Sequence, residues 1–508
     1  MRLLWSPAVY REGRLGIMLT LLLLAAAIGQ AEPAEAAPPN VLFIVVDDLR
    51  PELGCYGDET AVTPQLDALA ARGLRFDRAY CQQAVCSPSR TSVLTGLRPD
   101  STQVYDLQKD FRDTVPDVVT LPEHFKNHGW QSEAIGKVYH NTVLDDEQSW
   151  SVPWTYGKGA YWRHPDNETL ITGLREQGAA KGLKGEQLAR ASRGPAWEWA
   201  QVEDDEYPDG RTAAMARGRL KAFAESGEPF FLAVGFIRPH LPFCAPRKYW
   251  DLYDHDSLPL AADRTRPEGA PGWALTNWGE LRSYHGIPPQ GKVDAETERN
   301  LVHAYYACTS YIDALVGSLV KTLDETGLAS NTVIVLWSDH GWKLGEYSCW
   351  SKHTNFELDT RVPMLIVAPG DHPRAAATDA LVELVDLYPT LCELADLPVP
   401  DHVEGSSLVP LVEDPARTWA TAAFSQYPRN TRIDGKTVRM MGDSMRTDRY
   451  RFTRWRHRND PDQVVAYELY DHEVDPMEMR NLADDPNQAE LVKQLDAQVR
   501  AGWRAARP

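Results

Sequence analysis

The sequence predicts an α/β fold: a large, mostly parallel sheet sandwiched by helices, then a smaller C-terminal antiparallel sheet and a terminal helix. Three observations predict it. Continuous apolar, β-branched runs such as Asn40-Val-Leu-Phe-Ile-Val-Val46 and Thr332-Val-Ile-Val-Leu-Trp337 read as strands covered on both faces. Helical segments with their own start and stop signals alternate with these runs. Beyond about residue 415 the texture changes. Amphipathic runs such as Arg449-Tyr-Arg-Phe-Thr-Arg-Trp455 and Ala466-Tyr-Glu-Leu-Tyr470 have the pattern of a small antiparallel sheet.

The chain begins with Arg2, Arg11 and Arg14, an apolar run from Leu15 to Ile28, and then Gly29-Gln30-Ala31. A basic start, an apolar middle and small residues at a cut site make an export signal. The competing reading is a membrane anchor, but the run is shorter than the roughly 20 residues a spanning helix needs. The sequence therefore predicts a signal over 1–31, a linker over 32–39, a main domain over 40–415 and a C-terminal subdomain over 416–508. It predicts no stable membrane span once the signal is removed. The destination is the periplasm or the exterior, or the lysosome in a eukaryotic host.

Each element of the main domain follows from local signals. Thr63-Pro64 opens a helix that runs through Ala71 and stops at Gly73, with threonine as cap and proline in the first turn. Thr120-Leu-Pro-Glu repeats that grammar, and a strand over about Trp130–Ile135 follows. Residues 141–210 are polar and rich in Trp and Gly, and read as long loops over one end of the sheet. A helix over Thr212–Ala224 leads into the strand Pro229–Phe236. Residues 243–291 are again loop-rich. A long helix over Ala295–Thr326 precedes the Thr332–Trp337 strand. Val362–Ala368 adds another strand, Val385–Thr390 starts another helix, and Gln488–Ala505 is the last helix.

Composition bounds the function. The chain has 508 residues, 43% hydrophobic and 25% charged, with 72 acidic against 53 basic residues and a net charge of −19. That balance excludes a nucleic-acid binder, which needs a basic face. An anionic substrate would need a local basic pocket working against the global field. Seven cysteines are too few for a disulfide scaffold, and the odd count leaves at least one thiol unpaired or converted.

Polar residues recur just past the ends of the apolar runs: Asp47-Asp48, Lys137 and His140, Arg238-Pro-His240, and Asp339-His340. In open α/β sheets that edge is where ligands bind. Asp47, Asp48 and Asp339 are hard oxygen ligands suited to Ca²⁺ or Mg²⁺, or caps of nearby turns. His340 suits softer metals better. Lys137 with His140, and Lys352 with His353, read as solvated loop pairs or as cationic clamps on an anion. Trp342 reads as packing. Cys86-Ser-Pro-Ser-Arg90 has two readings as well. It is a half-buried cysteine at the start of an amphipathic helix, or it is a Cys-x-Pro-x-Arg motif whose cysteine is oxidised to formylglycine.

Taken together these stretches resemble the type I sulfatases of the alkaline-phosphatase-like superfamily, and most of all their iduronate-2-sulfatase branch. The resemblance rests on Asn40–Asp48, Cys86–Gly96, Gly136–His140, Arg238–His240 and Ser338–Trp342 with Lys352. It continues in Ser425-Gln-Tyr-Pro-Arg429, Arg446–Tyr450 and Glu468–Pro476 through Leu482. It implies that Cys86 becomes formylglycine, hydrated to a gem-diol. It implies that Asp47, Asp48, Asp339 and His340 hold a divalent metal with residue 86, Ca²⁺ ahead of Mg²⁺. Arg90 would stabilise the diol, and Lys137, His140, His240 and Lys352 would surround the sulfate and the leaving oxygen. The implied partners are a sulfated saccharide, a 2-O-sulfated uronic acid at a polysaccharide end, and a formylglycine-generating maturation enzyme. Two alternatives remain: a phosphonate or phosphodiester hydrolase of the same superfamily, and a non-catalytic glycan-binding protein with unmodified Cys86.

Overall fold

In the computed structural model, residues 37–140, 145–276, 279–433 and 435–508 are described. The expected export signal over 1–31 and most of the linker lie outside them. Nine strands run through the main part: β1 (Asn40–Val46), β2 (Leu74–Tyr80), β3 (Gln131–Gly136), β4 (Trp197–Ala200), β5 (Phe230–Phe236), β6 (Phe243–Pro246), β7 (Thr332–Ser338), β8 (Arg361–Val367) and β9 (Ala376–Glu383). Seven of them form one sheet in the order β3-β5-β1-β7-β8-β2-β9. All its pairings are parallel except those of β8, which runs antiparallel to both β7 and β2.

The continuous apolar texture of β1 has a direct cause. Leu42, Ile44 and Val46 point into one apolar layer, against the helices Pro208–Ser226 and Ala295–Thr326. Val41, Phe43 and Val45 point into the other, with Val93, Leu94, Phe125 and Leu391. All six are fully buried, so neither face can carry a polar residue. Each such side chain contributes roughly 1.5–3 kcal/mol by leaving water.

Register then fixes the functional edge. Val46 pairs with Phe236 of β5 and with Ser338 of β7, and Gly136 of β3 pairs with Gly235. Residues 47–48, 137–140, 237–240 and 339–340 therefore leave the sheet side by side. Two glycines make the tightest step. Gly136 takes a left-handed φ of +82, and a Cβ there would fall 2.1 Å from the Gly235 carbonyl oxygen. Lys137 folds back so that its N–H donates to that same oxygen.

Four longer strands follow: β10 (Ala423–Ile433), β11 (Lys436–Arg446), β12 (Tyr450–His457) and β13 (Asp460–Asp471). They form an antiparallel sheet in sequence order. The helix Ala489–Ala501 packs Val492, Leu495 and Val499 against Phe452 and Leu469. Gly502, at φ 74, breaks the expected terminal helix, and a separate turn, Trp503–Ala506, follows.

Several expectations are corrected. The stretch 141–210 is not all loop: it holds the helices Pro165–Ala180 and Gly185–Ala191 and the strand β4. The first of these helices buries only Gly178, so it has no apolar stripe for a periodicity reading to find. β2 and β9 were not expected. In β2, Arg75 and Asp77 pair with one another at 2.6 Å on a single face, which gives the strand a surface-like composition. The Cys86–Thr95 helix is not amphipathic, because all ten of its residues are buried.

Candidate active site

The Cys86–Thr95 helix starts directly on Cys86, after an extended Val85. Helical spacing puts Cys86, Ser89 and Arg90 on one side. Ser89 Oγ donates to the Asp339 carbonyl at 2.6 Å, and Arg90 Nε donates to Asp339 Oδ2 at 2.8 Å. Arg90 Nη1 donates to the carbonyls of Val138, at 3.0 Å, and Lys137. The helix is thus pinned to the ends of β7 and β3, and Cys86 is held over the end of β1.

Around the Cys86 sulfur lie Asp47 Oδ1 at 3.4 Å, His340 Nε2 at 3.3 Å and Lys137 Nζ at 3.7 Å. Lys137 also pairs with Asp47 Oδ2, and Arg90 Nη2 lies 3.4 Å from Asp47 Oδ1. Ligand atoms of Asp47, Cys86, Asp339 and His340 all fall within 4.8 Å of one another, and all four residues are buried. Burial and the Asp47 carboxylate push the Cys86 thiol well above its ordinary range. Burial works against ionised Asp47 as well, but Lys137, His240, Arg90 and Lys352 outweigh it and hold the carboxyl well below the usual range.

Asp48 faces the other way. Its backbone takes a left-handed φ of 61, uncommon for a residue with a Cβ. Tyr305 Oη fixes that turn by donating to the Asp48 carbonyl at 2.7 Å and accepting from Arg50 N at 2.9 Å. The Asp48 carboxylate then meets Lys352 Nζ at 3.0 and 3.1 Å, and lies 3.3 Å from His340 Nδ1. Lys352 rests over the ring of Trp342, which is core packing against Phe243.

His240 reaches the same place from the end of β5. Asp209 accepts the N–H groups of Ile237 and Arg238, at 2.7 and 3.1 Å, and so holds that turn. His240 Nε2 sits 4.0 Å from Asp48 Oδ2. It is closer, at 3.1 Å, to Glu280, whose other oxygen is 3.3 Å from Lys352 Nζ. Glu280 is a site residue that sequence reasoning missed. It comes from the 245–290 loops, where no periodicity or motif marks it. Burial and Lys352 oppose protonation of His240, but the carboxylates of Glu280, Asp48 and Asp47 outweigh them and raise its pKa. His140 is the opposite case: burial and Lys137 push it down to about 3. Its Nδ1 is buried with no hydrogen-bond partner among the described residues.

The structure therefore brings Asp47, Asp48, Cys86, Arg90, Lys137, His240, Asp339, His340 and Lys352 into one cluster. His140 joins it through charge and not through a hydrogen bond. Lys343 belongs elsewhere: it is buried in a pair with Asp359. No disulfide joins any of the seven cysteines.

The donor set can be tested against a divalent cation. Asp47, Asp48, Asp339 and Glu280 are four carboxylates, facing the fixed cations Arg90, Lys137 and Lys352. The oxygen-rich set fits a divalent ion, which would add positive charge among the carboxylates.

Comparison with known proteins gives a consistent answer. The sulfatase family profile matches residues 39–397, and a profile described as N-sulphoglucosamine sulphohydrolase, C-terminal, matches 345–504. Iduronate 2-sulfatase of Homo sapiens is 34% identical, over 95% of this chain and 98% of that protein. Among solved structures, the phosphonate monoester hydrolase of Silicibacter pomeroyi superposes with a TM-score of 0.71 at 23% identity, covering 92% of this chain and 96% of its own. A 2-O GAG sulfatase superposes with a TM-score of 0.63 at 22% identity, covering 91% of each chain. At those identities the two structures bear on the fold alone, which is that of the alkaline-phosphatase-like sulfatases.

Proposed function

From the premise that this chain belongs to the sulfatase family and hydrolyses sulfate esters, we propose that it removes the 2-O-sulfate of a uronic acid at the end of a sulfated polysaccharide. We propose further that residue 86, oxidised from cysteine to formylglycine by a maturation enzyme, is its nucleophile. The observation that carries the reading is the placement of the Cys86 sulfur, within 3.7 Å of Asp47, His340 and Lys137 at once. The similarity to human iduronate 2-sulfatase supports the choice of sugar. The net charge of −19 favours attack at a chain end over tracking along a polyanion.

A hydrated aldehyde at residue 86 supplies one hydroxyl to attack sulfur and a second to expel the bound sulfate, which serine could not do. Asp47, Asp48, Asp339 and His340, with residue 86, would hold a divalent cation, Ca²⁺ in preference to Mg²⁺, which supplies positive charge against the sulfate oxygens. The residues do the rest. Asp47 Oδ1 stands where it can accept the proton of the attacking group. Arg90 and Lys137 offset negative charge that builds on the sulfuryl oxygens. His240, held protonated by its carboxylate neighbours, or the Lys352 ammonium beside it, protonates the leaving alcohol. His140, held neutral, takes the proton when sulfate is expelled. Where His240 is the acid, acid and base are both histidines whose surroundings drive their pKa values apart.

Mass spectrometry of the peptide containing residue 86 tests the mechanism. The expected result is the mass of the aldehyde or its hydrate, and loss of turnover in Cys86→Ala with the fold retained. A free, alkylatable thiol in active protein would overturn it. Such a thiol in inactive protein would instead support a glycan-binding role. The ratio of kcat/KM on an aryl sulfate to that on an aryl phosphodiester separates sulfatase from phosphonate-type hydrolase. We propose export directed by residues 1–31. No helix among the described residues is long and apolar enough to cross a membrane.

A further inference from the structure

We propose that Arg429 on β10, with the hydroxyl of Tyr427, forms a second anion subsite that binds the carboxylate of the sugar whose sulfate is removed. The proposal rests on the uronate reading above and gives that reading a residue.

Arg429 is half-buried, and no carboxylate oxygen lies within 4.0 Å of its guanidinium among the described residues. Its hydrogen bonds go to neutral carbonyls: Nε to Trp273 at 2.9 Å, Nη1 to Pro428 at 3.2 Å, and Nη2 to His353. The guanidinium lies over the Tyr427 ring, 4.1 Å from its centre. Other buried arginines near the junction of the two sheets are neutralised. Arg90 pairs with Asp339 and Asp47, Arg98 grips Glu383 with two bonds, and Arg451 bridges Glu357 and Glu478. Besides its carbonyls Arg429 meets the Tyr427 side chain, with the Asp359 and Glu468 carboxylates acting only from a distance, and a cation so poorly answered is costly unless an anion arrives to meet it. Burial accordingly pushes the Arg429 guanidinium below its ordinary range.

Position makes the substrate the source of that anion. His353 links Arg429 to the catalytic cluster. Its carbonyl accepts from Arg429, its Nδ1 meets Tyr427 Oη at 2.7 Å, and its N–H donates to the Ala84 carbonyl at 3.3 Å. The residue before it, Lys352, faces Asp48 and Glu280. Ala84 is two residues before Cys86. The His353 peptide thus joins Arg429 on β10 to Lys352, the residue before it, and to the Ala84 carbonyl, two residues before Cys86. A 2-O-sulfated uronic acid carries its two charges on opposite sides of one pyranose ring. A planar guanidinium with N–H donors to spare matches a carboxylate with two parallel bonds, which a lysine could not make.

The test compares a 2-O-sulfated uronic acid glycoside with the same sugar whose carboxylate is reduced to a primary alcohol. The readout is the ratio of kcat/KM for acid over alcohol. In wild type the acid is preferred. In Arg429→Gln the ratio falls at least about tenfold, mostly through KM. If wild type prefers the acid and Arg429→Gln keeps that preference, the subsite is wrong and the uronate reading stands. If wild type shows no preference for the acid, both fail together. Should Arg429→Gln not fold, Arg429→Lys and Tyr427→Phe serve instead. Each is expected to lower the ratio in part, and two wild-type ratios would overturn the proposal.

Discussion

The cluster at the end of β1 and the cluster of Glu357, His472 and Glu478 both combine carboxylates with a histidine, and each brings its ligand atoms within 4.8 Å of one another. Their difference lies in how the carboxylates are answered. Glu357 receives Arg451 and Arg446 on one oxygen and Tyr80 Oη on the other. Glu478 receives Arg451 Nε and His472 on one oxygen and the Glu357 N–H on the other. Two carboxylates meet two guanidiniums, and every oxygen is taken. At β1 the carboxylates outnumber the fixed cations, and the thiol of Cys86 sits among them. The Glu357 network closes on itself and holds β12 and β13 to the main sheet. The β1 cluster leaves carboxylate oxygens that a divalent cation would answer. Proximity of ligand atoms is therefore a poor guide to a metal site until the competing donors are counted.

The largest expected effect is at the open cluster. Asp47→Asn should lower kcat/KM by about 10³-fold or more. If a cation is part of the native state, EDTA should lower the wild-type Tm and Ca²⁺ restore it, and that response should vanish in the variant. A wild-type Tm indifferent to EDTA would break the comparison, because both clusters would then be closed networks. Next is Arg451→Met, which removes the guanidinium shared by Glu357 and Glu478 and leaves Arg446 and His472 as their charged partners. It should cost about 3–5 kcal/mol of stability in urea unfolding, while kcat/KM per folded molecule stays within about threefold. A large loss of turnover at full stability would show that the closed network is functional after all.

Glu280→Gln sharpens the boundary of the open cluster. It removes the carboxylate shared by His240 and Lys352 and should reduce kcat/KM by roughly 10- to 100-fold, with little change in Tm. The smallest effect is on acid stability. Burial opposes ionised Glu357, but Arg451, His472 and Arg446 hold its pKa at about 2, against an ordinary 4.5. A depressed carboxyl stabilises the fold above its unfolded pKa, and that contribution drains away as pH falls from about 4.5 toward 2. Tm followed from pH 5 to 2.5 should therefore fall more steeply in wild type than in Glu357→Gln. Equal slopes would mean that the network adds nothing to acid stability.

What the chain reveals before folding follows the same division. β1, β5 and β7 are legible because both of their faces are buried, so apolar character runs unbroken along them. Asp47-Asp48 and Asp339-His340 are legible because they interrupt that character at the point where the strands end. Glu280 is not, since its meaning comes only from meeting His240 and Lys352 in space. The helix Pro165–Ala180 is hidden for a different reason: with almost nothing to bury, it writes no stripe. Arg429 falls between. Its motif is visible in the sequence, but the lack of an acidic partner is a fact about three dimensions.

Cys86 keeps 2% of its surface, and the helix it begins is enclosed along its whole length. A side chain sealed to that degree cannot be drawn into the catalytic cleft of another protein. An enzyme that alters residue 86 has to meet it as loose polypeptide, before β1, β3 and β7 have assembled around it. If residue 86 is converted as proposed, maturation and folding would run as a race with a fixed order, and a chain that folded first would keep its thiol and stay inactive.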